Sequence, residues 1–250
     1  MGDLSGSYGM GVPVVAAAIC PHPPLLLPAV AAGAAAELND LRTMCFSAVD
    51  QVFAAGPDTI VVVGAGPVTA RFGAADFGSF DAFGVRETYA LGGIDALAVG
   101  ARMPLSLAVG AWLLRDRSTG PRRSGLSVAA DAPPVDCRSL GAFVAATPDR
   151  VGLVIMGDGS ACRGEKSPGY ADPRAEPFDA AVATALANAD RTALLSLDTV
   201  LAAELLAVGR APWQVLASAA TASGDAWRGE LRYADAPYGV CYLVASWTAM

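Results

Sequence analysis

Three short apolar runs, at residues 12–19, 58–63 and 150–156, each stop abruptly in a turn built from Gly, Pro or Asp. Each run is too short for a typical helix, is rich in β-branched residues and lacks polar alternation, which predicts strands buried on both faces. Helix-forming stretches separate them: 31–55, closed by Gly56-Pro57, then 104–117 with a proline in its first turn, and 137–147. Beyond the third run, helices are expected over 176–189, 194–208 and 213–221, the last two separated by a break at 209–212. Further strands are expected at 125–130, 227–233 and 240–247, and residues 68–100 read as short strands and loops lying over the core. Strands alternating with helices predict a single α/β domain over 12–250, with a mixed, mostly parallel central sheet and helices on both faces. The Gly- and Ser-rich residues 1–11 read as a flexible tail.

Composition narrows the function classes. The chain is alanine-rich and carries a formal net charge of −7, with 54% hydrophobic and 16% charged residues. Nucleic acid and anionic lipid both need a basic surface, so neither is an expected partner. Residues 11–36 carry no charge but contain Pro13, Pro21, Pro23, Pro24 and Pro28, which a lipid-exposed helix would not tolerate. The first basic residue is Arg42, so no positively charged leader is expected. Five cysteines with no CxxC pair fit reduced, buried thiols better than a disulfide framework or a zinc site. A cytoplasmic protein is expected.

The turns that close the three strands are Cys20-Pro21-His22-Pro23-Pro24, Gly64-Ala65-Gly66-Pro67 and Gly157-Asp158-Gly159-Ser160. Open α/β sheets place ligands at the carboxyl ends of their strands, so one shared pocket is expected there. Its candidate acid–base groups are His22 and Asp158, and its candidate lining is Cys20, Gly64, Gly66, Ser160 and Arg163.

The stretch from Ile19 to Pro28, ICPHPPLLLP, resembles the opening motif of the class III extradiol ring-cleavage dioxygenase-like superfamily, that of the protocatechuate 4,5-dioxygenase catalytic subunit. Similar stretches follow in order: the second strand and its turn, Val154 to Ser160, Pro168-Gly169-Tyr170 with Phe178-Asp179, and Pro237 to Ala245. The resemblance implies a ferrous ion held by two histidines and a carboxylate. His22 stands at the first histidine, but Gly66 replaces the second, and Ala161 stands where a proton-shuttling histidine is expected. Val208, before Gly209, stands at the carboxylate, with Glu204 expected one helical turn earlier on the same face. His22 is the only histidine in 250 residues. No bound metal or other cofactor is therefore expected, because affinity at such a site requires several donors fixed together.

Simpler readings stand beside each candidate. His22 can be a hydrogen-bonded support for its proline turn, and Asp158 a turn cap. A metal site from His22, Asp158, Cys20 and Cys162 matches no zinc spacing, and Ser160, His22 and Asp158 lack a nucleophile-elbow context. Arg163, Lys166 and Arg174 form either a solvated face or a positive rim. Three functional readings remain open: a pseudoenzyme binding a small anionic or aromatic molecule, an enzyme using an atypical metal site or metal-free chemistry at His22 and Asp158, or an interaction protein with a closed pocket. A homodimer is implied by the resemblance.

Overall fold

The computed structural model describes residues 13–93, 97–117, 120–224 and 226–250, so the expected tail lies outside the described residues. The chain begins with β1 (Val14–Cys20), a 3-10 turn at Pro24–Leu26, α1 (Pro28–Ala31), a second 3-10 segment at Ala32–Leu38 and α2 (Asn39–Ala54). Next come β2 (Thr59–Gly66) and three short strands, β3 (Ala70–Phe72), β4 (Phe77–Ser79) and β5 (Thr88–Ala90). The middle of the chain supplies α3 (Leu105–Leu113), β6 (Arg122–Ala129), α4 (Pro134–Ala145) and β7 (Val151–Met156). Four helices follow, α5 (Ala175–Ala187), α6 (Arg191–Leu195), α7 (Thr199–Glu204) and α8 (Arg210–Ala222), before β8 (Trp227–Asp235) and β9 (Tyr242–Ala249).

Seven strands form one mixed sheet in the order β3-β6-β2-β7-β1-β9-β8. The central four, β6, β2, β7 and β1, run parallel. Antiparallel β3 closes one edge and the β9-β8 pair the other. A separate two-stranded ribbon, β4 with β5, lies in the segment expected to hold short strands. The domain is therefore a single α/β unit with a mostly parallel sheet, as the alternating pattern predicts.

Strand periodicity assigns successive side chains to two separate cores. In β1, Ala16, Ala18 and Cys20 face α2 and α3, together with Ile60, Val62, Val154 and Met156. Ala17 and Ile19 face the opposite layer, with Val63, Leu153, Ile155 and residues of α4, α5 and α8. Continuous apolar runs are thus required in β1 and β7, which are buried along their whole length on both faces. Among the described residues no helix is long and apolar enough to cross a membrane.

The helical boundaries differ from expectation where capping competes with periodicity. The stretch 194–208, read as one helix, is divided. The Asp198 side chain accepts from the amides of Val200 and Leu201 and so starts α7 as a new helix. Leu206 then takes a left-handed φ of 55°, which ends it. Glu204 and Val208 consequently do not share a helix face. The expected break at 209–212 is instead the first turn of α8, where Pro212 loses no intrahelical hydrogen bond. Buried Arg210 fixes this turn by donating to the carbonyls of Ala132 at 2.6 Å and Ala130 at 2.7 Å.

Helices α4 and α8 meet closely at Gly141. A Cβ there would stand 2.5 Å from both Ser218 Cβ and the Val215 carbonyl oxygen, and 2.7 Å from the Ala219 nitrogen. Two of these atoms are backbone, so the helices themselves would have to part. Gly141→Ala gains about 1 kcal/mol of helix propensity, but overpacking costs about 1–3 kcal/mol or more. We expect a net loss of stability and a lower urea midpoint; an unchanged or raised midpoint would show that the helices separate freely.

Candidate functional site

The geometry at the carboxyl end of the sheet follows from a shortage of donors. In Pro21-His22-Pro23-Pro24 three residues lack an N–H, which leaves His22 with the only amide of the turn. That amide donates to Asp158 Oδ1 at 2.7 Å. The contact joins the turn after β1 to the turn after β7, its parallel neighbour.

Asp158 is aimed by the packing of its own turn. The Gly157 amide donates to the Cys20 carbonyl at 2.9 Å, and the Gly209 amide to the Asp158 carbonyl at 2.8 Å. The Gly159 amide donates to the Cys241 carbonyl at 2.8 Å. Gly157 has no room for a side chain: a Cβ would lie 2.6 Å from the Gly209 Cα and 3.1 Å from Trp213 Nε1. At Gly159 a Cβ would fall 2.8 Å from both Asp179 Oδ1 and Cys241 Cβ. Glycine is needed at both positions for close approach, and the turn is held rigid around the one carboxylate that faces His22.

The His22 ring lies against the same carboxylate. Nδ1 is 3.5 Å from Asp158 Oδ1, with the two side chains 10% and 14% exposed. This is a close charge contact whenever the imidazole is protonated, but it is too long for a hydrogen bond, and Nδ1 is buried without a hydrogen-bond partner. Trp213 Nε1 is a second buried polar atom without one. Trp213 Nε1 lies against Gly157 and His22 Nδ1 against Asp158.

The other expected pocket residues have different tasks. Cys20 is fully buried beneath the turn, its sulfur 4.0 Å from the Cys45 carbonyl. Gly64 receives α3, since a Cβ would come within 2.5 Å of Ser106 Oγ, and the Ser106 hydroxyl donates to the Ala65 carbonyl at 2.6 Å. Gly66 packs against Ser127 and Pro104. Ser160 and Arg163 turn away to Asp179 of α5, which is 2% exposed. Asp179 accepts from the Ser160 amide at 2.8 Å, the Ser160 hydroxyl at 2.6 Å and Arg163 at 3.2 Å. Arg163 also lies 3.7 Å from Glu176, and Arg174 pairs with Asp172 and Glu204 at 2.7 Å. The positive charge of these two arginines is therefore matched locally. The structure brings His22 and Asp158 together and does not bring Ser160 or Arg163 to them. Sequence reasoning does not single out Asp179 or Trp213 as site-forming residues; only the recurrence of Gly, Asp and Trp around one turn hints at them.

A facial iron site needs three converging donors, and these residues do not fit one. His22 is the sole imidazole of the chain. Gly66 contributes no donor, Val208 lines a surface groove beside α7, and Asp158 Oδ1 already accepts the His22 amide. Among the described residues no group of three or more His, Cys, Asp or Glu is placed to hold a metal ion.

Burial also tunes the surrounding acids. The Tyr242 hydroxyl titrates well above the usual phenol range because it is buried, and the nearby Asp158 carboxylate adds to the effect. Burial raises the Cys241 thiol, reinforced by Asp179, and burial raises that of Cys45, reinforced by Cys20 and Asp158.

No known family profile matches the chain, and no curated protein matches it. A solved structure does: the crystal structure of uncharacterized protein JW3007 from Escherichia coli K12, with a TM-score of 0.55 and 15% sequence identity. The match covers 94% of this chain and 100% of the other. At this identity the likeness shows a shared fold.

The thiol shifts set an alkaline limit on stability. Unfolded cysteines ionise from about pH 8.5 upward, whereas folded Cys45 and Cys241 keep their protons. Above that pH the unfolded state binds fewer protons than the folded one, so stability falls as pH rises, by up to about 1.4 kcal/mol per unit for each thiol. Urea unfolding between pH 7 and 10 should show this decline, and Cys241→Ala should flatten it. A slope identical in wild type and variant would exclude Cys241 as a contributor.

Proposed function

We propose that the protein binds a small molecule at the His22–Asp158 turn and does not perform iron-dependent ring cleavage. The supporting observation is the pair of buried, unpartnered polar atoms, His22 Nδ1 beside Asp158 and Trp213 Nε1 beside Gly157. Buried polar groups in native proteins are almost always hydrogen-bonded, to protein, ordered water or a ligand, and a bound ligand is the partner we assign to these two at a strand-end turn. A ligand with an acceptor atom for the indole N–H and a polar group for the imidazole would complete both. Small phenols and aromatic acids have this chemistry and agree with the resemblance to extradiol dioxygenase-like proteins. Without a converging donor set the protein acts as a pseudoenzyme of that chemistry.

One geometric feature favours a second reading. A carboxylate lies behind Nδ1 of the only imidazole, at 3.5 Å. In this arrangement Asp158 would fix the position of the ring while Nε2 exchanges a proton with substrate. Metal-free acid–base catalysis by His22 is then the activity expected.

Having one histidine makes the test direct, because the imidazole gives a single set of NMR signals. Titration with catechol and with 4-hydroxybenzoate should shift those signals saturably with at least one probe, and His22→Ala should weaken binding about tenfold, equivalent to 1.4 kcal/mol. Protein purified without chelator should hold well under one equivalent of iron and consume no oxygen with catechol. A full equivalent of iron with catechol-dependent oxygen uptake would overturn the proposal. An imidazole unmoved by either probe at millimolar concentration would leave His22 a structural residue.

A further inference from the structure

A cavity lies toward the other end of the parallel strands and is independent of the His22 turn. It encloses about 590 Å³, within the range of small-molecule sites, between the end of α4, strand β3 and the loop leading into β7. Its floor is the sheet itself, with Val61, Leu126 and Val151 presented from β2, β6 and β7. Val61 pairs with Leu153, whereas the His22 turn lies beyond the Gly64–Met156 row. Five residue steps therefore separate the two places, about 17 Å along the strands.

The walls of this cavity carry complementary chemistry. Phe143 of α4 is 53% exposed, an apolar ring left facing the opening. The Arg71 guanidinium stacks on it, with Cζ 3.9 Å from the ring centroid. Stacking holds the planar group in place while its N–H edge stays free. Among the described residues Arg71 meets no carboxylate and donates no hydrogen bond. The cavity's one acid is already engaged: Asp149 pairs with Arg122 at 2.5 Å and accepts from the Thr59 hydroxyl at 3.4 Å. Arg71 is thus the unmatched charge of the lining, above an apolar floor and beside an aromatic ring.

We propose that this cavity is a binding site for a flat, apolar anion, an aromatic or fused-ring carboxylate. The ring system would lie on Val61, Leu126 and Val151 with its edge against Phe143. Its carboxylate would accept from the two-pronged Arg71 guanidinium, the geometry in which arginine outperforms a point charge. The Ser124 hydroxyl, also in the lining, is a further donor.

2-Naphthoate is a suitable probe, with neutral 2-naphthylmethanol as its charge control. Titration followed by backbone-amide NMR should give saturable shifts clustered on residues 124–126 and 143–147, while the His22 imidazole signals stay in place. The neutral analogue should bind more weakly. Arg71→Gln, a surface substitution that leaves the fold intact, should reduce affinity about tenfold, as should Phe143→Ala. His22→Ala should leave affinity unchanged. The proposal is overturned if no amide in the cavity shifts at millimolar naphthoate, if the shifts gather at the His22 turn, or if Arg71→Gln binds as tightly as wild type.

Discussion

The hydrogen bond from the His22 amide to Asp158 is the contact on which the site depends. Prolines flank His22 so closely that its turn has a single donor, and a buried donor left unmatched costs about 1–3 kcal/mol. Asp158 meets that need across 136 residues of chain. It can do so because β1 and β7 are parallel neighbours whose ends coincide, Cys20 standing opposite Met156. One interaction therefore closes the β1 turn, locks the β7 turn against it and sets the chain's only imidazole at the mouth of the sheet.

Crowding around that contact keeps it in place. Gly157 and Gly159 admit Gly209, Trp213, Asp179 and Cys241 to distances that any side chain would prevent. Asp179, itself buried, gathers Ser160 and Arg163 on the far side of the turn. The consequence is a division of labour within four residues: Ser160 anchors the backbone to α5, and Asp158 is left to face His22. Arg163 neutralises the anchor, so its charge belongs to the support structure.

Much of the fold is legible in the sequence for a physical reason. A strand buried on both faces has to be apolar at every position, and residues 14–20 and 151–156 announce themselves that way, while 60–63 is apolar although Val61 is only partly buried. Capping is legible too but is overridden by periodicity when one reads 194–208 as a single helix; Asp198 is the stronger signal. Of the site, His22 and Asp158 can be read because strand ends and turn chemistry coincide at both. The roles of Ser160 and Arg163 cannot, because they depend on Asp179, a helical residue whose inward direction no local pattern reveals. The cavity under Arg71 is equally hidden: it exists because three-residue β3 returns antiparallel to β6 and leaves part of the sheet uncovered by helix.

Hydrogen exchange at the His22 amide tests the central contact most directly. In the wild-type protein this amide should be strongly protected although it lies in a turn outside the sheet. In Asp158→Ala it should exchange at least about tenfold faster, the equivalent of losing 1.4 kcal/mol of local protection, while the amides of β1 remain slow. Rapid exchange in the wild type, or equal protection in both proteins, would contradict the account.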